Sequence, residues 1–331
     1  MLIAIDAMGG DSGPRVTLPA CIKALKHFPQ LSILLVGDQQ QITPLLPNKP
    51  DLLKRIEILH SDVSVAMDDD PKHALRNQKG SSIHLAVQAV AEKRADACVS
   101  AGNTGALAVI SRYLLKTYPG ISRPAICTQL PAKDGECLML DLGANLGCDA
   151  NDLYQFALMG SAMAEVMQSK PSPSVGLLNV GEEELKGTEL VRQAAGIMTM
   201  SDKIRYRGFV EGSDIFSGEV DVIVCDGVSG NTALKTSEGV VRFLFQQLRQ
   251  GFKQSLYSRI ISLLARPVLK KIRRSLNPER YNGAVLLGLQ GVVVKSHGAA
   301  EIEGFYRAIV HAQRAVSADL CQKVGAKIES Q

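Results

Sequence analysis

The sequence predicts an α/β fold: an open three-layer αβα arrangement in which a mostly parallel sheet lies between two layers of helices. Apolar, β-branched runs alternate with segments of helical periodicity, glycine-rich loops follow the runs, and no low-complexity segment interrupts them. With 331 residues, 46% of them apolar and 21% charged, the chain can bury a substantial core. We therefore expect one α/β catalytic domain over 1–331, either undivided or made of two subdomains.

Each predicted strand is a short apolar run bounded by polar or glycine-rich residues. Helical periodicity is clearest over 81–93 and 151–167. The segment 168–174 contains two prolines and is predicted to be a surface loop or a subdomain boundary. A further apolar run ends at Lys295. The other predicted strands are 2–6, 32–36, 56–59, 97–100, 125–129, 137–141, 175–179 and 221–225.

Cysteine usage and hydropathy indicate the compartment. The seven cysteines form no C-x-x-C pair and are odd in number, which fits neither a disulfide framework nor a zinc site and favours a reducing cytosol. Residues 1–6 lack the basic and long apolar regions typical of a signal peptide, so we expect none here, and no segment has the roughly 20 apolar residues that a spanning helix needs. We expect a cytoplasmic protein that is soluble or lies on a membrane surface.

Glycine-rich or polar loops follow the carboxyl ends of the predicted strands. In an open α/β sheet those ends border the ligand crevice, so we expect the loops to converge on one site. Turn formation alone would not require so many of them. The six loops are 6–14, 100–107, 141–147, 179–187, 225–235 and 295–298.

Two of these loops contain the same tripeptide. The segments 96–107 and 221–235 both run from an apolar strand through Gly-Asn-Thr into a helical pattern, which places Asn103 and Asn231 near helix N-termini. Each asparagine taken alone is explained as an ordinary cap. Together, two helix N-termini with free backbone N–H groups predict an anion site.

Several common catalytic motifs are missing from the chain. The opening loop has no G-x-G-x-x-G spacing, and the sequence contains no P-loop, no G-x-S-x-G and no H-E-x-x-H. The acids of 67–71 are interpreted first as a helix cap and only second as metal ligands. We expect no metal, no cofactor and no nucleic-acid partner.

Four side chains are candidates for catalysis. Lys186 and Lys235 lie beside glycine-rich loops, and Lys295 and His297 directly follow an apolar strand. Lysine is usually a solvated surface charge, and that alternative stays open for each of them. As cations beside an anion site, they would bind and polarise a phosphate.

One segment carries the basic charge of the protein. Residues 253–280 contain eight basic residues and one acidic residue, a net charge of +7 in a chain whose total is +4. Apolar residues fall on one helical arc, basic residues on the other, and Pro267 is expected to divide the segment into two short helices. We expect 236–280 to protrude as an amphipathic helical hairpin that binds a membrane, an acidic protein or a second copy. The surface residues are Arg259, Leu264, Arg266, Lys270, Lys271, Arg273 and Arg274.

The loops together resemble a known family over nearly the whole chain. The resemblance is to PlsX, the family of bacterial acyl-ACP:phosphate acyltransferases. It implies transfer of a fatty acyl group from acyl carrier protein (ACP) to inorganic phosphate, giving an acyl phosphate for phospholipid synthesis. It also implies a fold similar to phosphotransacetylases and isopropylmalate dehydrogenases. The matching segments are DAMGGDSGP (6–14), SAGNTGAL (100–107), GEEELKG (181–187), VEGSDI (210–215), VCDGVSGNTALKTSEG (224–239), YNGAVLLGL (281–289) and VVVKSHG (292–298).

The resemblance also implies partners and a location. These are a homodimer, an anionic membrane surface on the cytoplasmic side, and a membrane glycerol-3-phosphate acyltransferase of the PlsY type that takes the acyl phosphate. Two other classes remain open from the residues, a metal- and NAD-dependent dehydrogenase of related fold and a membrane adaptor without catalysis.

The chemistry of such a transfer agrees with the missing motifs. Phosphate is already an anionic nucleophile and a thiolate is a good leaving group, so no covalent serine or cysteine is required. Positioning the phosphate and stabilising the oxyanion are sufficient. We assign this to the four catalytic candidates and to a binding set: Asp6, Gly9, Gly10, Gly102, Asn103, Thr104, Gly105, Asn145, Gly230, Asn231 and Thr232.

Overall fold

A single mixed sheet runs through the computed structural model, which describes residues 1–133, 135–183, 185–276 and 278–329. All eight strands predicted above are present, and the run ending at Lys295 is also a strand. The strands are β1 (Leu2–Asp6), β2 (Ser32–Gly37), β3 (Ile56–His60), β4 (Ala97–Ser100), β5 (Ala125–Ala132), β6 (Gly135–Leu140), β7 (Ser174–Leu178), β8 (Arg205–Val210), β9 (Val222–Val224), β10 (Ala284–Leu287) and β11 (Val292–Lys295).

The described ranges contain twelve α-helices, and local residues account for the start of three of them. Pro14 occupies the first turn of the first helix, and Asp70 accepts a hydrogen bond of 2.8 Å from the His73 N–H. Asp149 caps a long helix through the Asp152 N–H. The helices are α1 (Pro14–His27), α2 (Gln39–Ile42), α3 (Pro50–Leu53), α4 (Pro71–Asn77), α5 (Ser82–Ala91), α6 (Thr104–Leu115), α7 (Ala150–Gln168), α8 (Glu189–Met200), α9 (Gly227–Gly251), α10 (Leu256–Leu276), α11 (Ile302–Ser317) and α12 (Leu320–Glu329).

The core has two halves, one on each face of the sheet. Successive strand residues point to opposite faces, so Ile3 and Ile5 of β1 belong to one buried cluster and Ala4 to the other. The first cluster packs under α1, α7, α8, α11 and α12, and the second under α4, α5 and α6. This confirms the predicted three-layer αβα fold.

The sheet is mostly parallel, as predicted, but its strands form two groups that run in opposite directions. The sheet order is β3-β2-β1-β4-β11-β10-β5-β6-β9-β7-β8. β10 is antiparallel to its neighbours β11 and β5, and β5 is also antiparallel to β6. Strands β6, β7, β8 and β9 therefore run opposite to β1, β4 and β11. The loops after β1, β4 and β11 lie at one edge of the sheet and those after β6, β7 and β9 at the other. The prediction of one crevice bordered directly by all six strand ends is therefore wrong.

The basic segment is helical, but its division at Pro267 is also wrong. α10 continues from Leu256 to Leu276 with Pro267 inside it, and only residues 252–255 separate it from α9. Pro267 is exposed, so water can hydrate the carbonyl group that loses its helical partner. The side chains of Arg273 and Arg274 lie outside the described part of the structure.

The apolar face of α10 is uncovered in the single chain. Leu264 is 78% exposed and Tyr257 is 74% exposed, and other large apolar residues of α10 and α9 are similarly open. Such an apolar stripe, with Arg259, Arg266 and Lys270 on the same helix, is the amphipathic pattern that the sequence predicts. In the described ranges, no helix is both long enough and apolar enough to cross a bilayer.

Candidate active site

Asp6, at the end of β1, connects three segments behind the glycine loops. Its carboxylate accepts hydrogen bonds from the hydroxyl groups of Ser82 (2.7 Å) and Ser100 (2.6 Å), and the Ser100 hydroxyl oxygen accepts from the Gly102 N–H at 3.0 Å. Burial raises the pKa of Asp6 above its ordinary value. Asp6 is therefore buried behind the loop that follows β4 and orients it, and its carboxylate does not point at an open ligand site.

The loops after β1, β4 and β11 touch through glycine backbones. A Cβ at Gly9 would lie 2.7 Å from the Gly102 nitrogen, and one at Gly10 would lie 2.9 Å from the Gly298 carbonyl oxygen. Gly10 also has φ +85°, in the region that favours glycine. Any side chain at Gly9 or Gly10 would separate these three loops, so the opening motif is a close-packing element of the site.

Asn103 is the predicted N-cap, and the structure confirms it. Its side-chain oxygen accepts a hydrogen bond from the Ala106 N–H at 3.0 Å, while its amide group donates to the carbonyls of Ala66, Met67 and Asp69 at 2.9–3.2 Å. The side chain is therefore fully engaged. The anion-binding capacity of this loop rests on the N–H groups of the first turn of α6, at Thr104 and Gly105.

Lys295, the last residue of β11, is buried under these loops. It is 8% exposed, and its ammonium group donates to the carbonyls of Ala101 (3.2 Å) and Ser296. Burial lowers the pKa of Lys295 to about 8; the charge of Asp6 opposes this effect, and Lys235 adds a smaller lowering. The charge of Lys295 thus holds the backbone of two site loops together.

Replacing Lys295 by methionine is expected to change the pH dependence of stability. The pKa of Lys295 is lowered in the folded protein, so its contribution to the free energy of unfolding rises as pH increases above about 8. Between pH 8 and pH 10 we expect the wild type to gain about 2 kcal/mol relative to Lys295→Met. Urea unfolding at several pH values measures this difference. A flat difference, as expected for the control Lys323→Met on an exposed position, would contradict it.

The side chains of Lys235, on α9, and His297, in the loop after β11, are in contact. The Lys235 Nζ lies 2.7 Å from His297 Nε2 and 2.9 Å from a carboxylate oxygen of Glu238, whose side chain is only 15% exposed. Partial burial, with Lys235 as the second cause, lowers the pKa of His297 below its ordinary value. His297 is therefore mostly neutral near pH 7.

Asn282 is a site residue that the sequence did not single out. Its side-chain oxygen accepts a hydrogen bond from the His297 N–H at 2.9 Å, and its amide group donates to the Ser296 hydroxyl at 2.8 Å. It therefore fixes the loop that carries His297. The only signal in the sequence was its place at the start of a family-like segment, 281–289.

A second group of predicted residues lies at the opposite edge of the sheet, around Asp141. This buried carboxylate accepts hydrogen bonds from the backbone N–H groups of Ile126, Ala144 and Asn145. The Asn145 amide group donates to Asp141 and, at 2.8 Å, to the Pro124 carbonyl. The Asn145 amide is therefore occupied by its own loop, and its role in substrate binding stays a prediction.

The second Gly-Asn-Thr does not begin a helix. Asp226 caps α9 by accepting hydrogen bonds from the Val228 and Ser229 N–H groups, so Asn231 is the fifth helical residue. Asn231 therefore lies near a helix N-terminus, as predicted, but it does not cap the helix, because Asp226, four residues before Gly230, starts the helix earlier. Backbone N–H groups this far into a helix are paired within it, so only the exposed side chains of Asn231 and Thr232 can reach an anion.

α9 connects the two edges. It begins beside Asp141, and Lys235, eight residues and about 12 Å further along the axis, reaches His297 at the other edge. α9 therefore brings Lys235 from the Asp141 edge to His297, although the strands at the two edges point in opposite directions.

Lys186 makes its contacts elsewhere, in the loop after β7. Its ammonium group pairs with Glu183 at 2.7 Å, beside Gly181 and the end of β7. Hydrogen bonding to Glu183 raises its pKa. No contact described for Lys186 reaches Lys235, Lys295 or His297, so its catalytic assignment stays a prediction.

The arrangement of Lys235 and His297 offers positive charge and hydrogen-bond donors. Among the described residues, no three His, Cys, Asp or Glu side chains form a group that could hold a metal ion. Lys235, His297 and the first turn of α6 can bind an anion and stabilise negative charge on oxygen.

Solved structures of other proteins have the same fold. The chain matches a phosphotransacetylase from Streptococcus pyogenes with a TM-score of 0.64 and 17% identity, covering 96% of this chain and 94% of that one. It matches a branched-chain phosphotransacylase from Enterococcus faecalis with a TM-score of 0.60 and 16% identity, covering 95% of this chain and 99% of that one. The fold is thus the one found in phosphotransacylases.

Sequence relatives identify the family. A family model described as "Fatty acid synthesis protein" matches residues 1–323. A phosphate acyltransferase from Shewanella loihica is 49% identical over 332 residues, and one from Hydrogenovibrio crunogenus is 48% identical over 328 residues. These matches cover 100% and 99% of this chain, and 97% of each relative. The chain belongs to this family, the PlsX family, and is an acyltransferase of lipid synthesis.

Proposed function

We propose that this protein transfers a long-chain fatty acyl group from acyl-ACP to inorganic phosphate. The products are an acyl phosphate and free ACP, and the acyl phosphate feeds phosphatidic acid synthesis. The names of the relatives, which are phosphate acyltransferases, support this reaction. The observation that carries it is the pair of hydrogen-bond donors formed by Lys235 and His297.

The reaction matches what these groups can do. A phosphate oxygen attacks the thioester carbon, the carbonyl oxygen gains a negative charge, and the thiolate then leaves with the electron pair of the C–S bond. No base is needed, because phosphate is already anionic. Lys235 and His297 stabilise negative oxygen, and Lys295 and Asp6 keep the surrounding loops in position.

Trapping the product tests this function. Purified protein is incubated with acyl-ACP and phosphate, and hydroxylamine then converts acyl phosphate into an acyl hydroxamate. We expect hydroxamate to form together with free ACP, and neither to form when phosphate is omitted. Release of ACP without phosphate, or no hydroxamate with it, would contradict the proposal.

We further propose that α10 places the enzyme on the cytoplasmic surface of an anionic membrane. Its uncovered apolar stripe and its basic residues suit lipid chains and headgroups respectively. Such a location would deliver acyl phosphate to a membrane glycerol-3-phosphate acyltransferase of the PlsY type. A homodimer formed through α9 and α10 would present two such surfaces.

Leu264→Glu is expected to reduce membrane binding strongly. Leu264 is 78% exposed on the apolar stripe, so a carboxylate there costs binding energy and leaves the fold intact. Flotation with vesicles containing anionic lipid should show at least a tenfold loss of bound protein. The matched control is Met200→Glu on α8, where an apolar residue 89% exposed is changed in the same way. Equal flotation of Leu264→Glu and wild type would reject the anchor.

A further inference from the structure

The hydrogen bond between the Ala299 backbone and the His297 ring bears on which ring nitrogen carries the proton. We propose that the Ala299 backbone N–H holds His297 in its neutral Nε2–H tautomer, and that His297 and Lys235 together donate hydrogen bonds to one anionic oxygen of the reacting substrates. The second half of this inference rests on the proposed phosphate acyl transfer. The first half concerns the protein alone.

The turn after β11 determines the tautomer. The Ala299 N–H donates to His297 Nδ1 at 3.1 Å, and a ring nitrogen that accepts a hydrogen bond carries no proton. The proton of the neutral ring is then on Nε2. The turn is held in place because the His297 N–H donates to Asn282 at 2.9 Å and the His297 carbonyl accepts from the Ala300 N–H at 3.1 Å.

The charges around the ring favour the neutral form. Lys235 of α9 and Lys295 of β11 disfavour a proton on the second nitrogen, whereas Glu238 of α9 and Asp11 of the β1 loop favour it. Partial burial of the ring is the largest cause that lowers the pKa of His297, and the two lysines lower it further.

Two donors then face each other. His297 Nε2–H and the Lys235 ammonium are 2.7 Å apart, and an ammonium group cannot accept a hydrogen bond. An oxygen that accepts a hydrogen bond from both groups removes this conflict. Its negative charge also compensates the positive charge of Lys235, in addition to the Glu238 carboxylate that lies 2.9 Å from the ammonium group. The pair is therefore incomplete until an anionic oxygen binds.

Two oxygens have this chemistry. One belongs to the attacking phosphate, and the other is the carbonyl oxygen, which takes up the π electron pair when the phosphate O–C bond forms. That pair returns when the C–S bond breaks and the thiolate leaves with the bonding electrons. His297 keeps its proton throughout, so it acts as a hydrogen-bond donor and not as an acid.

Nitrogen NMR tests the tautomer without any substrate. The full-length protein is labelled with ¹⁵N-histidine, and the signals missing from His297→Gln identify the ring. We expect a pyridine-type shift for Nδ1 and a pyrrole-type shift for Nε2 at pH 7. The reverse assignment, or two protonated nitrogens, would overturn the proposal. This readout holds even if hydroxylamine trapping shows no acyl phosphate.

Two isosteric variants test the donor role. The glutamine amide can place an N–H where Nε2–H lies, whereas the asparagine amide places it nearer Nδ1. We expect His297→Gln to keep activity within about tenfold of wild type and His297→Asn to lose about 100-fold, both with unchanged Tm. A higher KM for phosphate in His297→Asn identifies the phosphate oxygen, and a lower kcat alone identifies the carbonyl oxygen. Equal activities of the two variants would overturn the role.

Discussion

Gly230→Ala is expected to lower the free energy of unfolding by about 3 kcal/mol, because a methyl group there has no space. The added Cβ would collide with the Asp141 carbonyl oxygen and lie 2.7 Å from the Cys225 sulfur. Backbone of the adjoining loop cannot move aside as a flexible side chain would, so α9 must shift. That shift would also move Lys235 away from His297, and we expect more than a tenfold loss of acyl transfer. Urea unfolding and the hydroxamate assay measure the two effects.

Gly239→Ala is the matched control for this change. Gly239 lies in the same helix, and a Cβ there would meet no atom within 4 Å. Alanine is the better helix former, so we expect this variant to be more stable by about 0.5–1 kcal/mol. If both glycine variants are equally destabilised, the close approach of α9 to Asp141 is not the cause.

Lys235→Ala is expected to lower kcat/KM for phosphate by at least 100-fold. Its ammonium group is the exposed cation closest to His297, with 46% of the side chain open to solvent. Removing a donor to a developing oxyanion typically costs 10²–10³ in rate, or about 3 kcal/mol in the transition state. Steady-state kinetics with varied phosphate measures the loss, and thermal unfolding checks that the fold is retained.

Lys323→Ala provides the comparison for Lys235→Ala. This lysine lies exposed on α12, and its loss is expected to leave both kcat and the KM for phosphate unchanged. If Lys235→Ala behaves in the same way, the assignment of Lys235 to the site is rejected. The conservative Lys235→Arg variant tests charge separately, since guanidinium keeps the charge but changes the donor geometry.

Local patterns predicted the elements well. Strands with buried apolar runs, such as β1 and β4, were located within a residue or two, since burial on both faces requires continuous apolar sequence. β8 was missed because it is an edge strand whose residues alternate in exposure, with arginine at two of its positions. The cap at Asn103 was predicted correctly, because capping depends on the few residues that follow.

The two Gly-Asn-Thr tripeptides lie at different positions relative to their helices. Gly-Asn-Thr begins α6 at Asn103 but lies within α9 at Asn231, because Asp226 offers an earlier cap. α10 continues through Pro267 because this residue is exposed, so that water can hydrate the carbonyl group that loses its helical partner. The periodicity of apolar residues does not specify this exposure.

The sequence by itself determined the αβα class, the family, the glycine loops and the basic amphipathic segment, because composition and short-range spacing govern each of them. Tertiary structure alone decided the strand directions. β10, far along the chain, pairs antiparallel with both β11 and β5, so β5 keeps the direction of β11. The antiparallel pairing of β5 with β6 then reverses β6, β7 and β9 relative to β1, β4 and β11. Tertiary structure also decided that α9 carries Lys235 to His297. These two residues are 62 positions apart in the sequence, so their contact follows from the packed fold.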